Sequence, residues 1–201
     1  MYGVTLLLCL SVAVFAQDPM PCNPPPQWEA REIRVDRQQN FEERRRLVYD
    51  AANRRERRIE EVEVNSTRSF YDELILWNEN KQYRVDLRTK KCNITVPYRE
   101  WRPRGVPPES KFEYEAVIGA AGIPGESVTI QIFTWNSTDG DYNRGLVTSP
   151  DCIPIQNVHA SQKYGFEESS YYDLTAGISD PEAFLIPEPC KTPPPPLPPH
   201  F

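Results

Sequence analysis

The side chains that could do chemistry are few, and cysteine leads them. The chain carries Cys9, Cys22, Cys92, Cys152 and Cys190. Cys9 sits inside an apolar N-terminal run, which leaves the others for the body of the protein. They lie dozens of residues apart, a spacing that suits disulfides in an oxidising compartment and not the close C-x-x-C pairs of a zinc site. Spacing alone leaves every pairing open. Asn65-Ser66-Thr67, Asn93-Ile94-Thr95 and Asn136-Ser137-Thr138 have the N-x-[ST] form. They mark Asn65, Asn93 and Asn136 as acceptors of N-linked glycans on an exposed surface.

Catalytic candidates are scarcer. His159 and His200 are the only histidines. His200 falls in a proline tail, while His159 shares a strand face with Ile155 and Asn157 and reads as structural. Ser-His-Asp and Cys-His constellations therefore have no base to build on. H-E-x-x-H, G-x-S-x-G and P-loop patterns are absent, and the 29 acidic residues give no reason to single out a pair. No enzymatic activity is expected. Asp139-Gly140-Asp141 suggests a calcium loop, but the longer ligand series of an EF-hand is missing. Ca2+ held by separate loops is the one cofactor considered, and its ligands are unassigned. Arg54-Arg55-Glu56-Arg57-Arg58, following Arg44-Arg45-Arg46, could form a heparin or anionic-lipid patch or a dibasic processing site. The interspersed Glu56, Glu60, Glu61 and Glu63 favour a solvated, charge-balanced hairpin tip.

The formal net charge is -6, and the basic footprint of a nucleic-acid binder is missing. Residues 1–16 hold no charged side chain, centre on Leu6-Leu7-Leu8-Cys9-Leu10 and end Val14-Phe15-Ala16. That is a secretory signal, with cleavage expected before Gln17. The run falls short of the ~20 residues that span a bilayer, and no later segment is apolar enough, so an integral membrane protein is not expected. Residues 17–191 are read as a single β domain. Residues 192–201 form a proline-rich tail of polyproline type. It could dock in an SH3-like groove, but such partners are mostly cytosolic, which favours a passive tail.

Alternating apolar and polar residues predict strands over 28–35, 46–50, 58–64, 69–77, 82–87, 111–120, 127–135, 142–148, 153–163 and 170–178. Residues 40–49 have helical composition without a clean apolar stripe. Residues 179–184 suggest one short helical turn. Short strands at this spacing indicate an antiparallel sandwich or open barrel. Phe112, Tyr114, Ala116 and Ile118 fall on one face of their strand. Val128, Ile130 and Ile132 fall together on another, with Phe133 and Trp135 opposite. Several strands are apolar on both faces, more than a two-layer core needs, which points to a dimer interface or an enclosed apolar pocket. The pocket candidates are Phe70, Leu74, Leu76, Phe112, Tyr114, Ile118, Ile130 and Ile132.

Over nearly its whole mature length the chain resembles the ependymin-related family. The resemblance rests on Pro21-Cys22 before Trp28, and on Arg46-Leu47-Val48-Tyr49-Asp50 with Asn53 and the basic run. It also rests on Thr89-Lys90-Lys91-Cys92, Cys152-Ile153-Pro154, and Gly177-Ile178-Ser179-Asp180-Pro181 with Phe184 and Pro187 before Cys190. It implies two curved antiparallel sheets forming an open half-barrel around an apolar pocket, similar to bacterial lipoprotein carriers, with little helix. It further implies a secreted, homodimeric glycoprotein associated with calcium, some members reaching the lysosomal lumen, and a lipid or fatty acyl chain as ligand. The alternative is a calcium-associated extracellular matrix or adhesion protein acting through its glycans and dimer surface. The family pattern would pair Cys22 with Cys152 and Cys92 with Cys190. Asn65 stands where some vertebrate relatives carry a further cysteine, a departure that bears on the tail.

Overall fold

A computed structural model describes residues 18–163 and 165–191. The expected signal sequence and proline tail lie outside these described residues. The elements are β1 (Gln27–Asp36), β2 (Phe41–Asp50), β3 (Arg55–Val64), β4 (Thr67–Leu76), β5 (Lys81–Asp86), β6 (Cys92–Thr95), β7 (Lys111–Gly119), β8 (Ser127–Asn136), β9 (Tyr142–Thr148), β10 (Pro154–Ser161) and β11 (Gly165–Ala176). A short 3-10 turn, Trp77–Glu79, and a one-turn helix, α1 (Glu188–Lys191), are the helical pieces among the described residues. The strands form one open, 11-stranded antiparallel sheet in the order β6-β5-β4-β3-β2-β1-β11-β10-β9-β8-β7. It is two meanders, β1–β6 and β7–β11, joined where β1 pairs with β11.

Tight turns set the register of the first meander. β3 and β4 are joined by Asn65 and Ser66, both at positive φ, the arrangement whose twist matches a two-residue hairpin. β2 runs back to Phe41, through the segment whose composition suits a helix. Ladders to β1 on one side and β3 on the other outweigh the modest helical propensity of its charged residues. Residues 181–184 form turns, with α1 further on. β6 and α1 are too short to carry a periodic signal.

Charged residues repeat as Glu-x-Arg in three adjacent strands: Glu32 and Arg34 in β1, Glu43 and Arg45 in β2, Glu56 and Arg58 in β3. Alternation sends each set to one face of the sheet. Glu32, Arg34, Arg45, Glu56 and Arg58 line the same hollow as residues of β9–β11, so this is the concave face. Apolar packing on it forms two clusters: Trp28, Ala30, Leu47 and Tyr49 with Trp101, and Val106, Phe133, Val147 and Cys152 with Phe112. On the convex face, residues 178–190 cross β2, β4 and β5 and bury Phe184 against Val48, Leu74 and Tyr83. Disulfides Cys22–Cys152 and Cys92–Cys190 fasten the N-terminal lead to the end of β9 and the C-terminal segment to β6.

Candidate functional site: a charged hollow with an aromatic corner

The concave face encloses a hollow of about 560 Å³. Its floor is a lattice of ion pairs. Arg45 Nε donates to Glu32 at 2.8 Å. Arg34 pairs with Glu43 and, at 2.7 Å, with Glu167 of β11. Arg58 bridges Glu56 at 2.6 Å and Glu73 at 3.0 Å, and Gln82 Nε2 donates to Glu73 at 2.7 Å. Arg104 comes from the 96–110 connection. It donates to Glu56 at 2.8 Å and to the Tyr171 hydroxyl at 2.9 Å, with Glu32 3.6 Å away.

Buried charges are tolerable only when paired, and the ionisation of these acids follows their partners. Burial favours the neutral acid at Glu32 and Glu56. Arg45 and Arg104 around Glu32, and Arg104 and Arg58 around Glu56, overcome it and hold both carboxyls below the usual range. Against the same burial, Arg45 and Arg34 draw Glu43 down to about 2. Glu60 goes the other way: burial and the adjacent charges of Glu73 and Glu43 push it up to about 8. Glu60 is thus the protonated member of the lattice, hydrogen-bonded to Glu43.

One wall of the hollow is aromatic. Trp77 lines it, backed by Trp101, which meets the Trp77 edge at 4.8 Å and stacks on buried Tyr49 with ring centroids 5.6 Å apart. Tyr98 and Ile75 complete that corner. At the opposite rim, His159 Nδ1 lies 3.0 Å from Asn143 Oδ1, and its Nε2 lies 3.5 Å from Asp141. Asp139 stands 3.9 Å from Arg102. Among the described residues no group of three or more His, Cys, Asp or Glu side chains is placed to hold a metal ion.

None of the eight pocket candidates lines this hollow. Phe70, Leu74 and Leu76 share a face of β4, but Ile75, between them, faces the hollow, so they point to the convex side. Leu74 is buried there beneath the C-terminal segment, with Leu76 packed beside it, while Phe70 is exposed. Tyr114 and Ile118 pair with Ile132 and Val128, and Ile132 and Ile130 with Leu146 and Thr148. That row is also convex: Ile130 and Ile132 are buried, Tyr114 and Ile118 about half exposed. Phe112 parts from Tyr114 because a bulge between them re-sets the register. It packs on Phe133 of the concave cluster.

The residues that do form the floor were legible as Glu-x-Arg repeated on neighbouring strands, a pattern that a reading of strands for apolar periodicity passes over. The basic runs divide by the same alternation. Arg45 and Arg58 are buried, while Arg44, Arg46, Arg55 and Arg57 each pair with an acid on the other side, so no free basic patch arises from these runs. Asn65, Asn93 and Asn136 are all exposed.

Comparison with known proteins agrees over most of the chain. Mammalian ependymin-related protein 1 of Mus musculus is 27% identical over 191 residues, covering 94% of this chain and 84% of that protein. Ependymin-2 of Oncorhynchus mykiss is 20% identical over 194 residues, covering 94% and 87%. A crystal structure of an uncharacterized conserved protein from Thermus thermophilus superposes with a TM-score of 0.49 at 13% identity, over 82% of this chain and 87% of that one. The Ependymin family profile matches residues 65–190, from the β3–β4 turn to the last described cysteine. With more than half of its length inside that match, the chain belongs to the Ependymin family.

Proposed function

We propose that this protein is a secreted, non-catalytic carrier that holds an amphiphilic lipid on the concave face of its half-barrel. The observation that carries the reading is the two-sided hollow: an aromatic corner of Trp77 and Tyr98 opposite a floor of paired arginines and glutamates. Its volume lies within the range of small-molecule sites, roughly 300–1,000 Å³. A bare hydrocarbon against the charged floor would desolvate ion pairs without replacing their hydration. An amphiphile sets its polar head there and its apolar part on the rings. The floor's acids are tied to arginines, an arrangement that suits binding better than proton transfer. Two disulfides and the signal sequence support passage through the secretory pathway. Exposed Tyr114, Ile118 and Val128 on the convex face support a homodimer, and lysosomal residence follows from the family resemblance alone.

Native mass spectrometry of protein purified from a secreting cell tests this reading. An amphiphile should travel with the protein in stoichiometric amount. Delipidated protein that takes up neither a fluorescent fatty acid nor a lysophospholipid would refute the reading.

A further inference from the structure

We propose that residues 97–102 are an internal occupant of an apolar site on the concave face, and that a single hydrocarbon chain enters by displacing Trp101. The inference rests on the carrier reading and assigns the place where the ligand's apolar part lies.

The 96–110 segment connects β6 and β7, the two free edges of the sheet, so it must cross the open side of the half-barrel. Its two ends are held very differently. At the β7 end, Arg104 is clamped by Glu56 and Tyr171, and its backbone N–H donates to the Tyr49 hydroxyl at 3.0 Å. Gly105 lies so close to the N-terminal lead that a Cβ there would meet Asn23 Oδ1 at 2.7 Å. Val106 donates to the Cys22 carbonyl at 3.0 Å and packs in the Phe133 cluster. Toward β6, residues 97–102 contain no helix or strand, and side chains do the holding. Trp101 lies on Tyr49 and Trp77, the Trp77 indole donates to the Arg99 carbonyl at 3.1 Å, and Arg102 reaches Asp139 only at 3.9 Å.

What Trp101 covers differs in chemistry from the charged floor beside it. Trp28, Ala30, Leu47 and Tyr49 are all buried and carry no charge, and Tyr171 and Leu174 flank them. A segment pivoting at Pro103 would lift Trp101 away while Arg104–Val106 stay in place. The seat it leaves is walled by the rings of Trp28, Tyr49 and Tyr171 with Ala30 and Leu47, a lining that fits a hydrocarbon chain. Side-chain anchoring without regular secondary structure is characteristic of segments that open locally at low cost, and a site revealed this way is a minor conformation made dominant by its ligand.

Hydrogen exchange on the delipidated full-length secreted protein, with and without saturating oleate, tests the proposal. Amides of 97–102 should exchange faster with oleate bound, while those of 104–106 keep their protection. Trp101→Ala, which empties the seat, should bind dansyl-undecanoic acid about tenfold more tightly than wild type, the factor that ~1.4 kcal/mol corresponds to. Oleate that binds while 97–102 stay unchanged or gain protection overturns the displacement and leaves the carrier reading standing. Folded wild type and variant that bind neither probe overturn both. Should Trp101→Ala fail to fold, the exchange experiment on wild type decides alone.

Discussion

Glu43 and Glu60 sit on the same face of adjacent strands, two residues off register, with a hydrogen bond between their carboxyl groups and one proton shared by the pair. Both are buried; Arg45 and Arg34 crowd Glu43, while Glu60 has Arg84 at 3.4 Å but also faces a second acid, Glu73. The proton therefore resides on Glu60, whose carboxyl is pushed up to about 8 by burial and by its acidic neighbours. In the unfolded chain it would titrate near 4.5. Between those values the folded protein keeps a proton that the unfolded chain has released, so this group's contribution to stability falls as pH rises. One proton of difference corresponds to about 1.4 kcal/mol per pH unit. Glu60→Gln supplies a permanent donor and removes the titration. The variant should lose the decline between pH 5 and 8 seen in wild-type urea midpoints, and a wild-type midpoint flat across that range would contradict the shared proton.

Glu43 works in the opposite direction and in another window. Burial opposes ionisation of its carboxyl, yet Arg45 and Arg34 draw it down to about 2. Its stabilisation is therefore present above its unfolded value of 4.5 and is lost as pH falls through the folded value. Acid unfolding of wild type should begin below about pH 4.5. Glu43→Gln should weaken that acid dependence while leaving the arginines beside it short of a partner, which shows as a lower midpoint at pH 6.

Arg104 ties the crossing segment to three groups at once: Glu56, Glu32 and the Tyr171 hydroxyl. Arg104→Met removes the cation but leaves Glu32 with Arg45 and Glu56 with Arg58, so it should cost less than the ~3–5 kcal/mol of a buried pair broken outright. Arg104→Lys keeps the charge but cannot reproduce the fork that engages Glu56 through two nitrogens, so it should recover only part of the loss. Denaturant midpoints in the order wild type, lysine, methionine are the expected outcome.

The fold was largely legible in sequence, the side of the sheet was not. Alternation in 111–118 and 127–135 identifies strands correctly, and Val128, Ile130 and Ile132 do share a face. Period-two patterning carries no label for concave or convex. The apolar rows of β4, β7 and β8 look like pocket walls, yet one packs beneath the C-terminal segment and the others line the outer surface. The bulge after Phe112 is invisible to a pattern that assumes strict alternation. The concave floor was hidden for a different reason. Buried charge in strands contradicts the usual inward-apolar rule, and it becomes readable only when the antiparallel register sets Glu32 opposite Arg45 and Arg34 opposite Glu43.

Glycine at the tip between β7 and β8 gives a local test of the backbone. Gly119 has φ +98°, and a Cβ built there would lie 2.1 Å from the Glu126 carbonyl oxygen. Gly122, in the same turn at φ +99°, has open space around it. Gly119→Ala adds a main-chain clash to the strain of a left-handed conformation and should cost more than the roughly 1–3 kcal/mol of strain alone. Gly122→Ala should show only the strain. Equal midpoints for the two variants would place the turn in another conformation.

The Cys92–Cys190 bridge and the packing beneath it make separable contributions. The bridge spans 98 residues of sequence, and in the chain-entropy description its removal frees the unfolded ensemble by about 4–5 kcal/mol. The docked segment has other holds: Phe184 is buried against Leu74 and Tyr83, Arg55 lies over its ring at 4.1 Å, and Arg57 donates to the Leu185 carbonyl at 2.9 Å. Replacing Cys92 and Cys190 by serine should therefore lower the denaturant midpoint while residues 183–186 remain protected from exchange under native conditions. If the segment instead peels away, Leu74 and Tyr83 are bared on the convex face, and a hydrophobic dye should bind the native variant but not the wild type. The first outcome assigns the bridge's effect to the unfolded chain, the second to the native contact, and buried Phe184 under Arg55, with Arg57 holding the Leu185 carbonyl, favours the first.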